Sequence, residues 1–125
     1  MKRILFGIGI ILIIGIIVLR CNIPMTKNSV VGIYANTNYG NKPCCVESPH
    51  KADTLNLKSD GTFTSGFYGN GTYEVSYGIL TTEIDWTYEY EFRQAGHSTY
   101  FSNKVFEKPQ IILNYDLNHY YEKVE

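Results

Sequence analysis

The densest chemistry in the chain sits in one short stretch: Cys44, Cys45, Glu47 and His50. Thiolate, carboxylate and imidazole donors together suit zinc or copper. Their spacing argues against one shared ion. Structural zinc sites set cysteines about two to four residues apart, and adjacent ones reach a single metal poorly. In an oxidising compartment such thiols pair instead, as a vicinal ring or through a bond from one of them to Cys21. With three cysteines in the chain, one is then left over. A free or intermolecular thiol is the third reading. Cys44, Cys45 and His50 therefore stand as candidate metal ligands only in an alternative reading, and the residues call for no cofactor.

The three histidines, His50, His97 and His119, share no ligand spacing. Each reads as a surface or loop residue. No nucleophile elbow, phosphate loop or dinucleotide fingerprint occurs. Glu89 and Glu91 fall on one face of an extended chain, about 7 Å apart. That face is the polar one, whereas glycosidase chemistry wants one carboxyl buried with a raised pKa. The residues thus point away from an enzyme. Asn70-Gly71-Thr72 matches a glycosylation sequon and doubles as a turn.

The aromatic residues carry the better signal. From Leu80 the even positions are Leu80, Thr82, Ile84, Trp86, Tyr88, Tyr90 and Phe92, and the odd ones are polar or acidic. A period of two over that run puts one face in a core and the other in water. Trp86, Tyr88, Tyr90 and Phe92 are the candidate ligand-binding face, lining a cavity if the fold leaves one. The competing reading is a core that these rings fill themselves.

Around that stripe the turn signals come at short intervals. Residues 30–35 read as a first strand. Residues 54–58 alternate and enter Ser59-Asp60-Gly61, a strong hairpin signal, before a strand over 62–67. Gly69-Asn70-Gly71 reads as a second turn, ahead of 72–75. The long run over 80–92 is expected to bend or bulge. Residues 94–98 read as a turn, and 99–106 and 110–115 as strands. The C-terminus is ambiguous: Leu117, Tyr120, Tyr121 and Val124 have helical spacing, yet Tyr-Tyr and Val favour a strand that closes an open edge. The strand is preferred. The fold class is all-β: a small up-and-down antiparallel β-barrel of about eight strands, preceded by one N-terminal transmembrane helix. Its expected core includes Tyr34, Leu55, Leu57, Phe63, Ile84, Trp86, Tyr88 and Leu113.

The 125 residues divide unevenly. Residues 4–19 are an uninterrupted apolar run holding eight isoleucines, with Lys2 and Arg3 before it and Arg20 after. Sixteen helical residues cover about 24 Å, short of a hydrocarbon core of about 30 Å, so flanking bases must snorkel or the bilayer must thin. A retained signal-anchor is preferred over a cleaved signal, because no small-residue cleavage site follows. A lipoprotein signal lipidated at Cys21 is the other alternative, with Arg20 where a small residue is wanted. In each case the basic N-terminus stays cytoplasmic and the rest is exported, periplasmic in a Gram-negative cell. The expected division is an anchor over 1–21, a linker over 22–29 and a barrel domain over 30–125. All twelve acids lie from Glu47 onward, against seven bases from residue 28, which leaves that part at −5. A nucleic-acid partner is excluded on that charge, since such binders need a basic face.

Gly32-Ile33-Tyr34 resembles the Gly-x-Trp signature of lipocalin-like barrels, with Tyr in place of Trp. Thr54-Leu55-x-Leu57-x-x-Asp60-Gly61-x-Phe63, followed by Gly71-Thr72-Tyr73, is similar to lipocalin-like domains of exported bacterial proteins. A weaker resemblance is to the N-terminal barrel of envelope lipoproteins of copper homeostasis and surface stress sensing. That family places Pro-Cys-x-x-Cys in the interval where this chain has Pro43-Cys44-Cys45, with the cysteines adjacent. The first resemblance implies the barrel fold; with the apolar N-terminal run, the aromatic face and the lack of catalytic motifs, the expected function is a membrane-anchored extracytoplasmic domain that binds a small apolar ligand or a protein partner without catalysis. The second implies an envelope stress or metal-handling protein using Cys44, Cys45 and His50.

Overall fold

Hairpins built from adjacent stretches of chain generate the whole architecture. The computed structural model describes residues 2–40 and 48–125. A helix α1 (Lys2–Arg20) and a single turn α2 (Lys27–Val30) precede eight strands. These are β1 (Gly32–Thr37), β2 (Thr54–Leu57), β3 (Thr62–Ser65), β4 (Gly69–Tyr77), β5 (Thr82–Tyr90), β6 (Arg93–Ser102), β7 (Gln110–Asn114) and β8 (His119–Lys123). Each pairs antiparallel with the next, and β8 returns to β1, so the sheet closes into an up-and-down barrel. The β-barrel expected from the turn spacing is therefore present, with the C-terminus as the closing strand.

Alternating strand directions give the barrel two distinct ends. The β2–β3, β4–β5 and β6–β7 connections lie at the end where α1 joins, here the lower end. The β1–β2, β3–β4, β5–β6 and β7–β8 connections form the upper end. Inward side chains fill the space between: Tyr34, Leu55, Leu57, Phe63, Ile84, Trp86, Phe101, Ile111 and Tyr121 are buried, and Tyr88 and Leu113 pack against them. An eight-stranded barrel is just wide enough for its own side chains.

Several local expectations are corrected. The turn after β3 is Gly66 to Tyr68, and Gly69-Asn70-Gly71 belongs to β4. Gly71 opposes Phe63 in the ladder, where a Cβ would stand 2.6 Å from the Phe63 ring and 2.2 Å from the Thr87 carbonyl oxygen. This glycine clears space for a ring; it does not reverse the chain. Residues 94–98, expected as a turn, are the first half of β6, and the reversal falls on Glu91 and Phe92, with φ of 47° and 65°. That reversal replaces the bulge expected within 80–92: β5 pairs in unbroken register on both sides, and a register shift lies instead between β7 and β8 at Ile112/Asn114. Val30, expected to open the first strand, ends α2 instead.

The stretch expected as a linker is packed onto the barrel. The Met25 amide donates to Thr82 Oγ1 at 2.8 Å, the Tyr34 hydroxyl donates to the Val30 carbonyl at 2.6 Å, and both Met25 and Val30 are buried. Residues 22–31 thus cap the lower end, and burial holds the Tyr34 phenol well above its usual range. The transmembrane expectation fares differently. Among the described residues no helix is long and apolar enough to cross a membrane. The apolar run within α1 is the limit, at about 24 Å against about 30 Å of hydrocarbon. Its described large side chains, from Ile4 and Phe6 through Val18 and Leu19, are all exposed.

Trp86 stands at the centre of the packing, with Phe63 and Tyr68 ring centroids 6.4 and 5.4 Å away. Trp86→Ala is expected to lower the unfolding free energy by about 3–5 kcal/mol, as large-to-small changes in cores do. Tyr90→Ala, on the same stripe but exposed, is expected to stay within about 0.5 kcal/mol. Chemical denaturation of the two variants beside the parent measures both, and equal effects would refute the assignment of faces.

Candidate functional site

The predicted aromatic face divides along its length. Thr82, Ile84 and Trp86 are buried, Tyr88 is half-buried, and Tyr90 and Phe92 are exposed. The cause is the path of the hairpin. β6 pairs with β7 only at Phe101↔Ile111 and Ser102↔Gln110, so the upper half of the β5–β6 hairpin extends past β7. There the inward face no longer looks into a core. Trp86 and Tyr88 therefore do not line a cavity with Tyr90 and Phe92: the lower pair is packing and the upper pair is surface. Glu89 and Glu91 are both exposed, but Glu91 sits in the reversal, so the alternation that put them on one face ends between them.

Sequence reasoning missed what joins Tyr90 and Phe92 at the upper end. Phe67 in the β3–β4 turn and Tyr115 after β7 are exposed too, with Tyr39 beyond β1. Four of the loops at this end therefore carry an aromatic ring in solvent. The signal was present at Gly66-Phe67-Tyr68-Gly69, where two rings flanked by glycines occupy a turn. Tyr68 turns inward, 5.0 Å from Tyr88 and 4.8 Å from Phe67 between ring centroids, and so ties this rim to the core.

Beneath the rim lies a polar layer organised by Asp53. One carboxylate oxygen accepts from Ser65 Oγ at 2.7 Å and from the Tyr121 hydroxyl, and the other accepts from the Phe67 amide at 3.1 Å. Asn36 fixes the backbone there, accepting from the Asp53 amide at 2.7 Å and donating to the Lys51 carbonyl at 2.8 Å. Burial first, and the Asp53 carboxylate second, hold the Tyr121 phenol far above its usual range. The arrangement is structural: it fixes the β3–β4 turn and orders the end of the β1–β2 connection.

The metal alternative falls mostly on residues that the structure does not describe. Cys44, Cys45 and Glu47 lie outside the described residues, and among the described residues no three His, Cys, Asp or Glu side chains converge on a point. His50 is exposed in the wall of a shallow cleft of about 350 Å³ with Pro49, Ala52 and Phe67. Cys21 is a free, half-buried thiol where α1 meets the lower end of the barrel. His97 stacks on Trp86 at 5.2 Å inside β6 and is not a turn residue. His119 is buried in β8, and neither ring nitrogen has a hydrogen-bond partner among the described residues. The Trp86 indole N–H is also without one. The chain matches no family model, no curated protein and no solved structure.

Burial, and then the nearby charge of His50, depress the His119 pKa below its ordinary value of 6.5. The folded state thus holds His119 neutral where the unfolded chain takes up a proton. Its contribution is intact above pH 6.5 and is lost as pH falls through the lowered folded value. His119→Leu is expected to flatten that acid-side loss of stability. Denaturation midpoints between pH 7.5 and pH 5 test it, and parallel curves for parent and variant would contradict it.

Proposed function

We propose that this chain is a non-catalytic, lipocalin-like binding module, tethered to a membrane by α1 and exposed to the extracytoplasmic space. Its binding surface is the aromatic rim at the upper end of the barrel, and its partner is a protein. The single observation that carries this reading is Phe92. A bulky residue with positive φ is a steric outlier, and a two-residue hairpin of this type prefers Asn-Gly. Here Glu91 and Phe92 occupy it, and the Phe92 ring is wholly exposed, packed on nothing. Strain retained at an exposed aromatic is a mark of a functional position.

Tyr and Phe on rigid turns suit protein recognition, because they offer large contact area at small entropic cost. A small apolar ligand inside the barrel is the weaker version, since Trp86, Tyr34, Tyr121 and Phe101 occupy the interior. The tether reading is supported by the exposed apolar sides of α1, a kind of surface that soluble monomers rarely leave in water. This reading requires the short run of α1 to cross with its flanking bases snorkelling or the bilayer thinned, and Lys2 and Arg3 then favour the orientation with the barrel outside.

Glu91→Asn combined with Phe92→Gly separates fold from function. Relieving two strained residues is expected to raise stability by about 1–3 kcal/mol. The same change is expected to abolish partner capture by a photoreactive phenylalanine analogue placed at Tyr90. The check is cross-linking in intact cells with thermal unfolding of the purified chain alongside. A stabilised variant that still gives the parent's adduct would refute the rim as the binding surface.

A further inference from the structure

The lower end of the barrel carries its own exposed apolar tips. Ile79 in the β4–β5 loop is 96% exposed and Phe106 in the β6–β7 loop is 95% exposed, with Leu80 half as much. Phe106 repeats the feature seen at Phe92: a positive φ, 67°, on a bulky residue that packs on nothing. Both loops are fastened to the chain that leaves α1. Asn22 Nδ2 donates to the Leu80 carbonyl at 3.0 Å and to the Phe101 carbonyl at 3.1 Å. The Ile23 amide donates to the Asn103 carbonyl at 2.7 Å, and Asn103 Nδ2 donates back to the Ile23 carbonyl at 3.1 Å. Asn22 begins two residues after the last residue of α1, so the helix end and the two loop tips are held at one end of the molecule.

We propose that this end lies in the headgroup layer of a lipid bilayer, with Ile79, Leu80 and Phe106 inserted into the boundary between headgroups and acyl chains. The proposal rests on the reading of α1 as the membrane tether and adds the surface that meets the lipid beside it. Charge agrees. Lys104 and Lys108 flank Phe106, Lys58 lies in the β2–β3 loop, and Arg20 and Lys27 bracket the chain between α1 and α2. The acids at this end are Asp60 and Glu107 in those loops and Glu125 after β8, and Glu107 is drawn to Lys104 at 3.9 Å. Apolar tips set among Lys and Arg are the pattern of an interfacial contact, in which rings enter the boundary and ammonium groups reach the phosphates. The contact also answers the short apolar run of α1. A helix whose apolar run is shorter than the hydrocarbon is held more firmly if the attached domain grips the same surface.

Bromine quenching of tryptophan tests the contact in the full chain. Ile79→Trp, Phe106→Trp and Phe92→Trp each add one indole at an exposed position, over the constant background of buried Trp86. The chains are reconstituted in vesicles of phosphatidylcholine and phosphatidylglycerol with brominated acyl chains, and flotation is measured on the same samples. Ile79→Trp and Phe106→Trp are expected to lose about half of their added emission, as side chains about 5–10 Å into the boundary should. Phe92→Trp, at the far end, is expected to keep its emission. A chain that floats while all three indoles stay bright leaves the tether reading standing and overturns this one. A chain that does not float overturns both. A blue-shifted but unquenched Phe106→Trp emission means a protein surface covers the lower end, and equal quenching at Phe92→Trp means the barrel has no fixed orientation; either result overturns the proposal.

Discussion

Closure between the first and last strands is the constraint on which everything else depends. β1 and β8 meet over Tyr34↔Lys123 to Thr37↔Tyr120, joining segments more than eighty residues apart in the chain. Until that seam forms, the barrel is a curled sheet with two bare edges. The sequence equips the seam specifically. Gly32, with φ of 147°, lets the end of β8 approach so closely that a Cβ would stand 2.2 Å from the Glu125 oxygen. Lys123 then reaches across β1 and donates to the carbonyls of Ser29 and Val31, and burial lowers its pKa. The terminal strand and the cap of the lower end are thereby one unit. Closing the sheet also fixes the interior volume, and aromatic residues fill it.

The filled interior underlies the choice of surfaces proposed above. With Trp86, Phe63, Tyr34 and Tyr121 in the core, the proposed contact surfaces are the two ends, which differ in kind. The upper end is braced beneath its rim, because Asp53 and Asn36 tie the β1–β2 and β3–β4 connections together through hydrogen bonds, two of them partly buried. Such a layer suits a surface that must hold its shape before a partner arrives, since ordering is then already done. The lower end is built by tethering, with Asn22 and Ile23 hydrogen-bonded to the β4–β5 and β6–β7 sides.

Much of this was legible in the residue pattern, and each failure has a physical cause. Period-two alternation identified β5 and placed Ile84 and Trp86 inward, and Asp60-Gly61 marked the hairpin between β2 and β3, where Gly61 has φ of 83°. The C-terminal strand was legible because an up-and-down sheet needs a closing partner, although helical spacing competed. What alternation cannot see is where a core ends. Tyr90 and Phe92 continue the apolar parity of Trp86, but the neighbouring strand stops below them, so the same pattern changes from packing to surface. Turn chemistry misled in two directions. Gly71 is a glycine inside a strand, kept for the Phe63 ring, and Glu91-Phe92 is a turn without glycine. Burial of His119 was likewise out of reach, because it depends on the register of β7 against β8, where a shift intervenes.

The exceptions to turn chemistry are themselves informative. Glycine or asparagine fits a left-handed position easily, and the chain uses Asn38, Asn118, Gly61 and Gly69 in that way. At Phe92 and Phe106 it keeps a ring instead, one at each end of the barrel, and neither ring contacts the core. Local propensity and folded-state packing both disfavour that choice, and conflicts of this kind concentrate where function opposes stability. One physical criterion, a strained and exposed ring, thus supports both proposed surfaces. What distinguishes them is the company each keeps: Phe92 stands among other aromatic tips at the rim, and Phe106 stands between two lysines beside the end of an apolar helix. The first setting suits a protein surface and the second a lipid one.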